Sequence, residues 1–365
     1  MFRILAFTVK PRESADSRFR VLQFKDIAAR AGIIIDHRSF MGSRYFHWQL
    51  KNRRLVLRLL LYPILFIVRL WQVLCLAPKY DCVWISREMA PLGPPILEHL
   101  LVWSCKRVIF DIDDALHISD RKMARLIPRL LRDRSKFGRM ANRYSAIVCG
   151  SEHLAAFYSQ YSSNVCVIPT VVDVAQYSTC ERSQTPYVRI GWVGTPLNRD
   201  HLELVRPALQ ELAKERRFEL VIVGLNEPLR WDLSCVRYMD WKLEQELSYF
   251  EQFDIGIMPL RDSPFARGKC AFKLVQYMAA GIPVVASPVG ANCQIVEQGL
   301  NGYLADTQQE WYSSLKLLID SLEDRTAKGH YARSCIRRYY SLESAWSRYE
   351  SVLTGTLQPE TVCAL

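Results

Sequence analysis

Residues Phe265 to Gly290 constrain this chain more than any other stretch. They read as a basic loop, a helix, a tight stop and a buried strand. Arg267, Lys269 and Lys273 cluster where that helix is predicted to begin. Val275, Met278 and Ala279 recur at helical spacing and give it a small apolar face. Gly281 can take the left-handed conformation that ends a helix, and Pro283 just beyond prevents continuation. Pro283 to Ser287 then predicts a core strand, with Pro at the first residue where no ladder donor is needed. A helix N-terminus presents free N–H groups and partial positive charge, and three cations there repel one another unless an anion sits among them. The segment therefore predicts a phosphate or diphosphate site. The bland alternative is an ordinary strand–helix–strand unit with a solvated basic loop.

The same alternation runs through the rest of the chain, whose 365 residues suffice for two domains. In the N-terminal half, strands are predicted at Ile4–Val9, Cys82–Ile85, Val108–Phe110, Ala146–Cys149 and Val165–Ile168. A helix is predicted over Ser17–Ala31, with Val21, Phe24, Ala28 and Ala31 on one side, and Ser151 reads as a helix cap. In the C-terminal half, Val188–Gly194, Leu220–Gly224 and Ile255–Met258 are further strands. Such alternation predicts α/β architecture, parallel sheets with helices on both faces. Eleven scattered cysteines without a C-x-x-C pair fit a reduced, cytosolic chain better than a disulfide frame or zinc site. The N-terminus opens directly on a strand, so no separate signal segment is expected.

Gln276-Tyr277-Met278-Ala279-Ala280-Gly281-Ile282-Pro283-Val284-Val285 resembles the nucleotide-binding half of the GT-B fold glycosyltransferases, specifically the retaining family 4 (glycosyl transferases group 1). The resemblance implies two Rossmann-like domains facing across a cleft. It also implies transfer of a sugar from a nucleotide-diphosphate sugar to an acceptor hydroxyl, with retention. By this reading 1–170 is the acceptor domain, 171–186 the linker, 187–340 the nucleotide-sugar domain, and 341–356 a helix crossing back to the first domain. Ile168-Pro169-Thr170-Val171-Val172-Asp173 resembles the family's linker, with Thr170 and Val171 in place of Asn and Gly. Gln276 stands where the family has the Glu that holds the ribose, and an amide can still serve a diol. Gly268 stands where its first acidic residue falls. After the first strand of this half, Gly194-Thr195 replaces a Gly-Arg, Asp200 falls at the position of a Lys, and Arg199 is adjacent. Trp241 lies where the family places its nucleobase. The diphosphate is then expected on Arg267, Lys269 and Lys273, with Arg199 as a candidate helper, and no bound cofactor or metal is expected beyond the donor substrate.

In the N-terminal half, Asp111-Ile112-Asp113-Asp114 ends a strand. Asp113 or Asp114 can cap a following helix, or the Asp-x-Asp can hold a divalent ion. The resemblance instead puts Asp113 where a catalytic His is often found, in an electrostatic role beside the acceptor hydroxyl. His117, Glu88, Arg18 and Arg20 are further acceptor-side candidates, the two arginines occupying the place of the family's glycine-rich loop.

Charge is uneven: residues 1–180 carry +13 and residues 181–365 carry −2. Leu55 to Ala77 is long enough to consider a membrane span, but Arg58 and Arg69 lie inside it and Pro63 would kink it. A helix lying in the headgroup layer fits better, with Arg58 and Arg69 on one face and Arg44, Lys51, Arg53 and Arg54 beside it. A second basic run, Arg121 to Arg143, adds to that patch. The expected partners are a nucleotide sugar, a lipid-linked or cell-surface glycan acceptor, and the anionic cytoplasmic face of a membrane. Two other classes stand beside this reading: an inactive GT-B-like scaffold, which the missing acid allows, and a nucleic-acid binder, favoured by charge alone and lacking any motif. A sugar-nucleotide epimerase is the weaker third.

Overall fold

The computed structural model of this chain describes residues 1–51, 55–118, 131–178, 187–225 and 227–356. The chain divides into two compact units, Met1–Val171 with the residues from Leu342 onward, and Val172–Ser341. Arg53, Arg54, the Lys51 and Arg58 side chains, residues 121–130 of the second basic run and residues 179–186 of the connection lie outside the described residues.

The first unit holds six parallel strands: β1 (Phe2–Thr8), β2 (Ile33–Ser39), β3 (Cys82–Ser86), β4 (Val108–Ile112), β5 (Ala146–Cys149) and β6 (Val165–Val167). Their order is β2-β1-β3-β4-β5-β6. Every residue of β3 and β4 is buried, as expected of strands covered on both faces. The order reverses between β1 and β3, so the loops leaving these strands diverge and open a crevice at their C-terminal ends.

The predicted helix over Ser17–Ala31 is in fact two, Ala15–Arg20 and Lys25–Arg30, joined through a 3₁₀ turn at Leu22–Phe24. Val21 leaves helical geometry at φ −132°. The break lets Val21, Phe24 and Ala28 all reach the core while Arg20 turns inward and Ala31 stays exposed. Ser151 caps its helix as read, accepting from Leu154 N at 3.4 Å. The helix Leu342–Thr354 packs on this sheet through Tyr349, whose ring centroid lies 4.9 Å from that of Trp84.

The apolar run forms a helix, Leu55–Trp71, continued by a π turn at Gln72–Leu76 and a 3₁₀ turn at Ala77–Lys79. It passes through Pro63 without ending. Arg69 does not share an outward basic face. It is buried, donating to Thr8 O at 2.9 Å and Arg38 O at 3.2 Å with Phe7 beneath it at 4.5 Å. Those two carbonyls give the guanidinium partners inside the protein that a headgroup would otherwise supply.

The second unit repeats the plan with β7 (Val188–Val193), β8 (Phe218–Val223), β9 (Val236–Met239), β10 (Ile255–Met258), β11 (Val284–Ala286) and β12 (Gly302–Leu304). All pair in parallel, in the order β12-β11-β10-β7-β8-β9. Its core joins Trp192 and Ile190 of the sheet to Leu209 and Leu212 of one helix and Trp311 and Leu315 of another. The reversal of strand order falls between β7 and β10. The start of the predicted linker is not an open polar strap: Thr170, Val171, Val172 and Tyr177 are all buried, and Asp173 caps a short 3₁₀ turn.

Candidate functional site

The strongest constellation in the second unit lies where β7 and β10 part. β7 is followed directly by Gly194, where a Cβ would stand 2.3 Å from the Trp192 ring and 3.0 Å from Lys273 Nζ. β8 is followed directly by Gly224, whose φ of +91° suits glycine and where a Cβ would stand 2.3 Å from Gly194 O. The two glycines let these turns close on each other. Trp241, after β9, stands beside Gly224 and is 37% exposed, an aromatic edge at the rim of the turn.

The predicted helix after the basic loop is the eight-residue helix Phe272–Ala279. Ala271 precedes it at φ 51°, and no side chain caps its first N–H groups. Lys273, in its first turn, lies 4.5 Å over the Trp192 ring. Burial, with Lys269 adding like-charge repulsion, pulls Lys273 down to about 7, and among the described residues no carboxylate offsets it. Lys269 donates to Asn198 Oδ1 at 3.0 Å, and Asn198 in turn reaches Thr195 Oγ1 at 3.3 Å. Thr195 itself is exposed.

Sequence reasoning gave no role to Asn198 or His201. His201 Nδ1 accepts the Arg261 N–H at 3.1 Å, which leaves Nε2 to carry the ring hydrogen. Burial and the charges of Lys269, Lys273 and Arg261 pull its pKa down to about 4, so it is neutral. A lone histidine seven residues after a glycine turn carries no signal until the cations around it are known.

Two expected cations leave this group. Arg267 is not at the start of the Phe272–Ala279 helix. It ends a separate short helix, Pro264–Arg267, is more than half exposed, and pairs with Asp262 at 2.7 Å. Arg199 donates to Pro228 O at 2.8 Å and sits 3.7 Å from Glu227, so it serves the 227–228 loop. Gln276 is buried with its amide 3.3 Å from Tyr177 Oη, engaged inside the unit instead of open to a diol.

In the first unit the acidic segment is held by arginines. Asp113, 6% exposed, is gripped by Arg87 at 2.7 and 3.0 Å, and Asp114 is bound by the same guanidinium at 2.7 Å. Neither caps a helix within 113–118. Arg87 adopts φ 73° at the end of β3 and also faces Asp16 at 3.5 Å. Burial pushes Asp16 up, but Arg87 and Lys10 overcome that and leave it at about 2. One strained arginine thus gathers three carboxylates at the reversal of the first sheet.

The other acceptor-side candidates are structural. Arg20 is buried and bonds Asp111 at 2.8 Å and Ile168 O at 2.9 Å, while Asp111 also accepts from Tyr349 Oη at 2.7 Å. Glu88 is buried between Arg132 at 2.8 Å and Lys136 at 2.9 Å. His117 stacks on Phe157 at 3.7 Å, and burial pulls its pKa down to about 4. Arg18 donates to Glu13 O at 2.8 Å and braces its own loop. For Arg20 and Glu88 a partner distant in sequence takes up a charge that looks available in the sequence.

Residues 187–321 match the family model described as glycosyl transferases group 1. No curated relative matches the sequence significantly. Solved structures similar to the chain include a glycosyltransferase from Rickettsia africae ESF-5, at 14% identity and TM-score 0.70, covering 98% of this chain and 99% of that one. Anabaena Alr3699/HepE in complex with UDP and glucose matches at 14% identity and TM-score 0.68, over 97% and 100%. Sucrose-phosphate synthase from Thermosynechococcus elongatus matches at 14% identity and TM-score 0.68, over 98% and 99%. The two parallel six-stranded sheets are thus those of the GT-B fold. The matched domain and the shared fold together support a glycosyltransferase.

Proposed function

We propose that this chain transfers a sugar from a uridine-diphosphate sugar to an acceptor hydroxyl with retention of configuration. The observation that carries the reading is Lys273, a half-buried cation beside the Gly194 turn, over the Trp192 ring, with Lys269 adding repulsion and, among the described residues, no carboxylate offsetting it. A diphosphate supplies the counter-charge this arrangement lacks, and the positive end of the Phe272–Ala279 helix dipole adds to its attraction. The placement at the reversal of a parallel sheet, outside the carboxyl ends of β7 and β10, is where such folds bind nucleotides. Uridine is favoured because HepE was crystallised with UDP and with UDP-glucose. Retention rests on the resemblance of residues 276–285 to the retaining family.

Lys269 and Lys273 act on the leaving diphosphate, where negative charge grows in the transition state. His201 Nε2–H is a neutral donor beside them. Trp241 offers a face for the base. The acceptor is assigned to the first unit, near the Arg87 cluster, and is a lipid-linked or cell-surface glycan precursor used at the cytoplasmic face of a membrane. The exposed apolar helix of that unit favours such an acceptor.

The test is a thermal-shift screen against UDP, GDP, ADP and CMP, repeated on Lys269→Ala. Stabilisation by UDP that is lost in the variant is expected. No stabilisation by any of the four would remove the donor assignment and leave the inactive scaffold.

A further inference from the structure

We propose that the Leu55–Trp71 helix and the turns that follow seat the first unit in the surface of an anionic bilayer, lying in its plane without crossing it. This deepens the membrane-assembled acceptor reading above, but its geometry stands on separate observations. Leu60–Lys79 is long and apolar enough to span a membrane by length and composition, and most of it is not buried in the protein. Leu60, Ile64, Ile67, Trp71 and Leu74 are all between 46% and 66% exposed, at spacings of four, three, four and three. They form one continuous apolar stripe facing solvent. Trp103, 83% exposed, stands on the helix Ile96–Ser104, which packs against the same turns.

The opposite face of this helix is fixed to the unit. Tyr62 Oη donates to Leu92 O at 2.6 Å, Arg69 bonds the carbonyls of Thr8 and Arg38, and Val73 and Ala77 are buried. A spanning helix would have to surrender all of these contacts and take the Arg69 charge into hydrocarbon. An in-plane helix keeps them and immerses only the stripe.

Charge selects the occupant. Residues 37–80 contain eight Lys or Arg and no Asp or Glu. Arg44 and Lys79, at the two ends of the segment, are exposed. A second copy docking on the stripe would bring two such acid-free segments together, and their repulsion opposes it. An anionic lipid surface attracts both, because each cation near it adds to binding while the stripe enters the acyl boundary.

The experiment is co-sedimentation of the full chain with vesicles of phosphatidylcholine containing about 30% phosphatidylglycerol, against pure phosphatidylcholine. The comparison protein is the double variant Ile64→Glu, Ile67→Glu, checked by light scattering for oligomeric state. Binding to anionic vesicles that the variant weakens at least about 100-fold is expected. No binding by the unaltered protein, or equal binding by the variant, overturns the proposal. So does a dimer in solution that the double substitution dissociates. The UDP thermal shift on the same variant reports separately on folding and on the donor site, so loss of vesicle binding with the shift retained bears on the membrane seat alone.

Discussion

Lys273→Met should make the empty protein more stable while abolishing its response to nucleotide. The unfolded chain holds this proton up to about pH 10.5, whereas the folded chain holds it only to about 7. Between these limits the unfolded state binds more protons, so stability rises with pH across that window. At about 1.4 kcal/mol per pKa unit the cost of a charged Lys273 approaches 4–5 kcal/mol. The side chain is only half-buried, and solvent screening at its open end brings that to about 2–3 kcal/mol. The Trp192 face, 4.5 Å away, is already part of the surroundings that set this value. The assay is thermal unfolding of both proteins from pH 6 to 10, with and without UDP. At pH 7 the methionine variant should melt higher by about 4–10 °C. The gap should narrow steadily as pH rises to 10, since it vanishes only above about pH 10.5, where the lysine is neutral in both states. UDP should raise the melting temperature of the lysine protein most below pH 8, taking up a proton on binding, and should leave the variant unmoved. A variant that melts lower at pH 7, or a gap that does not change with pH, would refute the account of Lys273 as an uncompensated cation.

Three further outcomes are expected. Gly194→Ala forces its new methyl against the Trp192 ring, so it should lose the UDP shift and about 1–3 kcal/mol of stability in urea unfolding. Arg20→Met leaves Asp111 buried without its ion-pair partner and should cost about 3–5 kcal/mol, with the UDP shift retained. Arg87→Met strands Asp16, Asp113 and Asp114 together. It should cost about 3 kcal/mol at neutral pH. The Asp16 part of that loss is fully present above pH 4 and disappears as pH falls through about 2, because its folded pKa is the depressed one. A flat acid limb in both proteins would count against that pairing.

Much of the frame was legible because buried parallel strands announce themselves. Val284–Val285, Leu220–Val223 and Ile255–Met258 carry no polar side chain and meet a Gly or Pro at one end, and each became part of a strand. β2 escaped because its second half, Asp36-His37-Arg38, is polar and half-exposed at the sheet edge. The helix over Ser17–Ala31 was read too long because apolar spacing records which residues are buried and not whether one helix does it. The cations of the donor site were visible as residues, but their partners were not. Asp262 for Arg267 is five residues away, whereas Asp111 for Arg20 is 91 residues away and Asp113 for Arg87 is 26. Sequence shows a charge and the fold decides what neutralises it, so Arg20, Glu88 and Arg69 looked available and are not.

The helix Leu342–Thr354 closes the hub of Asp111, Arg20 and Trp84 through Tyr349, although these partners lie more than two hundred residues earlier. The first unit is therefore discontinuous, and the second is a single uninterrupted stretch, Val172–Ser341. On a ribosome the first unit emerges first but lacks its last helix until the second has been made, a wait of about 10–35 s at ordinary elongation rates. Over that interval Asp111 and Arg20 have each other but not the tyrosine hydroxyl that completes their bonding. The unit synthesised second is one uninterrupted stretch, so its own folding waits on no later segment, as the first unit's does.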